Sequence, residues 1–463
     1  MTRRLIERPA QIYSASLGGS FRPIYTGTDS ELPVSISKKT TLTIITTSLL
    51  IPGDGEPTKD AALVISSKLI AWVGPQSAIP KEYTDSPHKS YSTPYLMPGL
   101  WDCHAHFGGE SPDAGSSGDP YQVFITEHPA ASGARLTRMC WLALQRGYTS
   151  LRDVAGMGCE ISRAIEDGSI VGPNVYSSGA CISQLAGHGD IFSLPAGDVL
   201  LNLGCRRAVR LQIRRGAKCI KVMASGGVMS RDDNPLYAQF SPAELETIVE
   251  EANRQNRVVA AHVHGKPGIM AAIKAGVTTL ERVSFADREC IDLIKEKGII
   301  YIATRLVMDL LLGTGGKGIP PTAWEKVKLC ATNHLAAYKM AIEAGIPIAL
   351  GTDTGPGFNM AMELEAAVKA GMSNLEAIKA ATANGPLSVG GQAPKTGQLK
   401  AGYEADVLGL LENPVEDVRV LQKIENVAWV WKGGSLFKGP GVGPWGEDPS
   451  FFDEWSAATY IRS

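Results

Sequence analysis

The sequence predicts an α/β protein, a (β/α)8 TIM barrel with a small β-sandwich domain formed from N- and C-terminal segments. Two observations lead there. Between residues 97 and 390, short apolar runs of strand character alternate with helical stretches, the pattern of a parallel sheet covered by helices. Eight such repeats can be counted, the number that closes a barrel. On both sides of them, over 40–96 and 391–440, the text turns β-rich, which implies one satellite domain assembled from the two ends of the chain.

Taken in order, residues 1–39 carry Gly, Ser, Thr and Pro without periodicity and predict an irregular arm. TLTIITTSLLIPG and AALVISSKLIAWVG then supply strands of the small domain. The barrel strands are expected in GLWDCHAHF, YTSLRDVAG, NVYSSGACIS, AKCIKVMASGG, RVVAAHVHG, VTTLERVSF, IIYIATR and IPIALGTDTG. Helices between them announce their starts. HPAASGARL after His128 opens one, and SPAELETIVEEANRQN has Ser241 as N-cap, Pro242 in the first turn and Glu244 closing a capping box. GQLKAGYEADVLGLL and NVAWVWKGGSLFKG return to the small domain. Residues 441–463 form a tail whose Trp445, Phe451, Phe452 and Trp455 predict docking on the barrel or on a neighbouring subunit.

Composition narrows the function. Lys plus Arg total 45 against 47 Asp plus Glu, a net charge of −2 without any basic run, so nucleic acid and anionic membrane are poor partners. Eight scattered cysteines with no CxxC pair predict reduced thiols and a cytoplasmic protein. No apolar run reaches about 18 residues, which argues against a membrane span. MTRRLIERPAQIYSASLGG has no apolar stretch behind its basic residues, so a secretory signal is not expected.

The chemistry concentrates at predicted strand ends. On a strand, His104 and His106 of PGLWDCHAHF share a face with Cα atoms roughly 6–7 Å apart. Two imidazoles so placed can converge on one ion about 2.1 Å from each nitrogen, although a pair of satisfied core histidines is the plain alternative. Eight histidines in 463 residues would yield about 0.14 His-x-His pairs by chance. Two occur, the second being His262/His264. Lys221 in CIKVMASGG and Asp353 in LGTDTG stand at further strand ends, where barrel active sites lie. Asp353 as a simple helix cap and Lys221 as a solvated side chain are the competing readings. Such a buried polar cluster is costly unless a divalent cation organises it.

PGLWDCHAHF, IKVMASGGVMS, AAHVHGKPGI and ALGTDTGPG, in this order, resemble the amidohydrolase superfamily and, within it, the metal-dependent carboxypeptidase branch of prolidase-like and ochratoxinase-like enzymes. LKAGYEADVLGLLENPVEDV and VWKGGSLFKGPGVGPWGED extend the resemblance to the C-terminus. It implies a hydrolase, a homo-oligomer, acting on a small molecule with one or two divalent metals per chain, Zn²⁺ before Mn²⁺ or Fe²⁺. His104 and His106 would hold the more buried metal, and Asp353 would be a ligand that also takes a proton from water. Lys221 would be an N6-carboxylysine bridging two metals. His262 would bind the second metal, with His264 beside it contacting substrate or metal-bound water.

One position departs from the family pattern. Where the family has a metal-binding histidine in a run like LEHVS, this chain has LERVSFAD with Arg282. Arginine stays protonated, offers five donors and no lone pair, and cannot ligate a cation. Several expectations follow. The site holds one metal on His104, His106 and Asp353, with the guanidinium in the second metal's place, pairing with a carboxylated Lys221 or orienting a substrate carboxylate. The scaffold has moved to a non-hydrolytic step of lyase, decarboxylase or cyclase type, or to silent binding. The dull alternative turns Arg282 to solvent, with His264 or water filling the gap. Secondary substrate-binding candidates are His188 in GHGD (with Asp190), Arg231 and Tyr237 in SRDDNPLYAQFS, and Arg305 in YIATR, for which a structural ion pair competes. The expected reaction is cleavage of an amide bond in a carboxylate-bearing small molecule: an N-acyl amino acid, a dipeptide or an ochratoxin-like amide.

Overall fold

The computed structural model describes residues 42–108, 127–190 and 204–447. Fourteen strands occur among them. The chain begins with β1 (Leu42–Leu50), β2 (Thr58–Ser66), β3 (Leu69–Pro75) and β4 (His88–Pro98). It then passes through β5 (Leu100–Ala105), β6 (Tyr148–Asp153), β7 (Asn174–Ser177), β8 (Cys219–Met223), β9 (Val258–Val263), β10 (Thr279–Arg282) and β11 (Ile300–Ile302). It ends with β12 (Val407–Leu410), β13 (Val427–Lys432) and β14 (Ser435–Lys438).

β5 to β11 are the barrel. They pair in parallel as β5-β6-β7 and β8-β9-β10-β11, and an Ile182–Val222 bridge joins the two groups. Residues of β5, β6 and β8 are buried on both faces, as parallel strands under helices must be. The eighth expected strand, IPIALGTDTG, is an irregular segment that nonetheless closes the ring. Tyr301 N donates to Pro347 O at 2.9 Å on one side, and Cys103 N donates to Leu350 O at 2.8 Å on the other. Regular pairing fails there because Pro347 lacks an N–H and Asp353 takes a left-handed φ of +61°. Gly351 lets the segment press on β5, since a Cβ there would lie 2.6 Å from the His104 Cβ.

The two chain ends build one seven-stranded sheet in the order β14-β13-β12-β4-β1-β2-β3. Its halves are knit at β4 and β12, with Met97 opposite Leu408. Ile70 of β3 and Leu436 of β14, at opposite edges, belong to one buried cluster with Ile45, Leu63, Leu96 and Trp431. The sheet is therefore folded over on itself, and the sandwich expected from the sequence is one continuous sheet. Pro98 and Gly99 carry β4 directly into β5, so the small domain feeds the strand that bears the first histidine pair.

Helix starts follow the sequence signals. Ser241 and Glu244 form the reciprocal capping box of helix Pro242–Arg254, and His128 caps helix Pro129–Gln145 by accepting from Ala130 N. The first residues of the tail dock on the described body, with Trp141 Nε1 donating to Pro444 O at 2.9 Å and Lys89 pairing Glu447 at 2.7 Å. Phe451, Phe452 and Trp455 lie outside the described residues, as does the N-terminal arm. Among the described residues, no helix is long and apolar enough to cross a membrane.

Candidate metal centre and active site

His104 and His106 project from the end of β5 towards Asp353 on the closing segment. Ligand atoms of all three lie within 4.8 Å of one another. Proton accounting shows what they can hold. His104 Nδ1 donates to the Glu281 carboxylate at 2.7 Å and His106 Nδ1 donates to Ala155 O at 3.1 Å. In the neutral rings both Nε2 atoms then carry only lone pairs. They face the same carboxylate oxygen, Asp353 Oδ1, at 3.2 and 2.8 Å. Three acceptors converging at the barrel mouth, with His104 buried and His106 partly exposed, repel unless a cation stands among them, so the residues fit one divalent ion. Without it a proton is the substitute: burial disfavours charge on His106, yet Asp353 raises its pKa.

The scaffold behind the imidazoles is a buried ion pair. Glu281 Oε1 accepts from Arg152 Nη2 at 2.6 Å and from Thr279 Oγ1 at 2.5 Å, while Oε2 takes the His104 proton. Burial alone would raise the Glu281 carboxyl, but Arg152 and then His104 hold it well below the usual range. It stays an anion that fixes the His104 tautomer, the support that metal-ligating histidines ordinarily receive. Asp102 Oδ1 accepts from the backbone N–H groups of His104 (2.9 Å) and Thr352 (3.2 Å), tying the two ligand-bearing segments together.

Arg282 is turned inward, 7% exposed, at the end of β10. Its Nε donates to His262 Nδ1 at 3.3 Å, and its Nη2 pairs with Asp353 Oδ2. One guanidinium thus occupies both an imidazole nitrogen and the second carboxylate oxygen, the atoms a second cation would need. The backbone is bent to put it there, with φ of +76° at Arg282 and +57° at Val283. Left-handed geometry at a β-branched residue is strain of the kind concentrated at functional sites. Burial opposes ionisation of Asp353, but Arg282 first and the two histidines after it hold the carboxyl well below the ordinary range.

Three buried nitrogens around this point lack hydrogen-bond partners: Lys221 Nζ, His262 Nε2 and His264 Nε2. Lys221 is 1% exposed, and burial pushes its pKa down to about 8. The rings of His262 and His264 are 4.9 Å apart, and His264 Nδ1 meets Ser284 Oγ at 2.6 Å. Burial holds both far below the usual imidazole range. His188 lies against His262 at 4.2 Å, and burial pushes it down to about 3.

With this geometry in view, comparison with known proteins places the chain. The amidohydrolase family profile matches residues 95–437. The chain belongs to the amidohydrolase family. It is 60% identical to ochratoxinase of Aspergillus niger over 440 residues, covering 90% of this chain and 91% of that one. The crystal structure of A. niger ochratoxinase superposes with a TM-score of 0.83, covering 88% of this chain and 98% of the other. A Xaa-Pro dipeptidase with methionine bound in its active site, 26% identical, gives 0.77 over 86% of this chain and all of that one. The chain is thus an amidohydrolase-family enzyme with the barrel and β-domain of that family.

Within this amidohydrolase, the structure gathers His104, His106, Lys221, His262, His264, Arg282, Asp353 and His188 at one end of the barrel strands. The other candidates are not brought into that cluster. Arg231 pairs with its neighbour Asp232 at 2.8 Å with its side chain 58% exposed, and Tyr237 is exposed on the same loop. Arg305 is spent structurally: it pairs with Asp309 at 2.5 Å one helical turn on and donates to Ala331 O at 3.0 Å, so the ion-pair reading describes it. Sequence reasoning missed Glu281, Arg152 and Asp102. Strand alternation gave no signal for Glu281, because it turns Glu281 and Arg282 to opposite faces and only the left-handed φ of +76° at Arg282 brings both inward.

Proposed function

We propose that this chain hydrolyses an amide bond in a small carboxylate-bearing substrate, an N-acyl amino acid, dipeptide or ochratoxin-like amide, with one divalent metal, Zn²⁺ before others, held by His104, His106 and Asp353. The convergence of three proton-free acceptors, with both Nδ1 protons already committed, is the observation that carries the reading. The 60% identity to A. niger ochratoxinase supports the substrate class. When bound there, the ion supplies Lewis acidity, polarising a carbonyl and making water a nucleophile near neutral pH.

The chain's own residues do the rest. Asp353 takes the proton of the attacking water and passes it to the leaving amine. Arg282 stands in for a second cation, and its Nη1, which has no hydrogen-bond partner among the described residues, offers donors to the substrate carboxylate. His262 is not a ligand in this reading, because its Nδ1 receives Arg282. Carboxylation of Lys221 would give its partnerless Nζ a role beside the guanidinium. All eight cysteines are free thiols, in keeping with a reducing, cytoplasmic setting.

The Arg282–Asp353 pair favours a second reading. A carboxylate held down by a guanidinium is a poorer base, which suits a diverged lyase, decarboxylase or cyclase step on the same scaffold. Release of phenylalanine from N-acyl-phenylalanines by Zn²⁺-loaded protein separates the two. Hydrolysis is expected, reduced about 10²–10⁴-fold by Asp353→Asn. No release by wild type, with release by Arg282→His, would assign the chain to the diverged class.

A further inference from the structure

The face of the barrel opposite the metal centre carries a cavity of about 410 Å³, where the β-domain meets the beginnings of barrel strands. Asn174 opens β7, Lys218 stands just before β8, and Ile165 and Glu166 end the helix Gly158–Glu166. The other wall belongs to the β-domain: Lys68 from the β2–β3 turn, Glu404, Lys432 of β13 and Phe437 of β14. Barrel chemistry is done at the C-terminal strand ends, where His104 and Asp353 stand, so this cavity is a separate place.

Tyr176 contributes a polar group with nothing to bind. The residue is 7% exposed, its ring stacked on Trp101 with centroids 5.1 Å apart. Its hydroxyl has no hydrogen-bond partner among the described residues, yet it is not sealed in protein, so it faces open space. Burial first, and then the carboxylates of Asp406, Glu404 and Glu166, push its pKa up, and it stays a phenol with a proton to donate. The charges around it are no better satisfied. Three lysines and two glutamates line the cavity, and none of them forms an ion pair among the described residues. Lys432 Nζ donates to Gly172 O at 2.8 Å and keeps two further hydrogens. Burial pushes Lys432 down and Glu404 up, the mark of charges held away from water without partners.

A simple anion in this cavity meets Glu166 and Glu404, and a simple cation meets the lysines. A molecule carrying both charges satisfies both sets, and Ile165, Val175 and Phe437 add apolar surface beside them. The volume suits a small ligand. We propose that this cavity is a second, non-catalytic site for an apolar or aromatic α-amino acid. Lys432 and the Tyr176 hydroxyl donate to its carboxylate, and Glu404 accepts from its ammonium. Such an amino acid is also what hydrolysis of an N-acyl amino acid or dipeptide releases; that link rests on the amide-hydrolase reading, and the binding does not.

Isothermal titration of the Zn²⁺-loaded full chain with L-phenylalanine tests this without any turnover. Saturable binding is expected, weakened about 10–100-fold by Glu404→Gln and by Lys432→Met, and about 3–10-fold by Tyr176→Phe. Phenylacetate and phenethylamine, with one charge each, should bind at least about 10-fold more weakly, and so should inorganic phosphate. Thermal unfolding shows whether each variant folds; Tyr176→Phe removes a single oxygen and decides the matter if the charge variants do not. Absence of binding overturns the proposal, and so does phosphate binding more tightly than L-phenylalanine. Binding that survives all three substitutions, or is lost only with Asp353→Asn, belongs to the metal centre and overturns it too. Hydrolysis of N-acyl-phenylalanines without this binding refutes the second site alone, and binding without hydrolysis refutes the hydrolase reading alone.

Discussion

A guanidinium that donates from Nε to an imidazole and from Nη2 to a carboxylate leaves neither group free for a second ion. Arg282 has that arrangement, and it was legible as a departure because arginine cannot ligate a metal. The four paired histidines of the cluster stand out for a simpler reason: strand periodicity puts alternate side chains on one face, and rare histidines paired at such spacing are conspicuous. Lys221 and Asp353 show only as polar residues at strand ends. Glu281 and Arg152 were not legible, because a buried ion pair is written in the same letters as a solvated one. Their partnership gives a residue-scale expectation. Glu281→Gln should weaken metal binding about 10–100-fold in chelator-competition titrations, since His104 loses the anion that sets its tautomer. The same change strands Arg152 in the core and should cost about 3–5 kcal/mol in urea unfolding. Unchanged metal affinity would remove Glu281 from the site.

Among the elements, the ends of strands and the turns beyond them carry the function, and there the sequence was least regular. IPIALGTDTG was expected as a strand, but Pro347 and the left-handed Asp353 break its ladder and aim the carboxylate at the two imidazoles. The NVYSSGACIS strand ends at Ser177, and only Ile182 resumes pairing, with β8. The SGG turn after β8 was legible as a family motif, but its physical reason is a close approach. Gly227 exists to admit the His188 ring. Gly227→Ala should therefore cost about 1–3 kcal/mol in urea unfolding, as overpacking does. A variant as stable as wild type would show that the ring has room to move.

For the whole molecule, the barrel and the two-ended β-domain were legible because alternating periods and matching terminal segments survive in any (β/α)8 chain. The single folded sheet was not, since strand order depends on β4 running on into β5 and pairing with β12 from the far end of the chain. The proposed metal ligands bridge β5 and the irregular closing segment, a seam held by one isolated β-bridge and a few backbone hydrogen bonds instead of a regular ladder. Metal binding should accordingly staple the barrel. Chelator-treated protein should unfold at a lower Tm, and Zn²⁺ at 100–1,000 times its Kd should restore about 2.7–4.1 kcal/mol. A Tm indifferent to the chelator would mean that the ligands meet without binding an ion. The most direct measurement is the metal content of purified wild type and Arg282→His by elemental analysis. Under the one-metal reading, about one divalent ion per wild-type chain is expected and about two in the histidine variant, where a lone pair replaces the guanidinium. Two ions in wild type would contradict it, because Arg282 would then have to leave both His262 and Asp353.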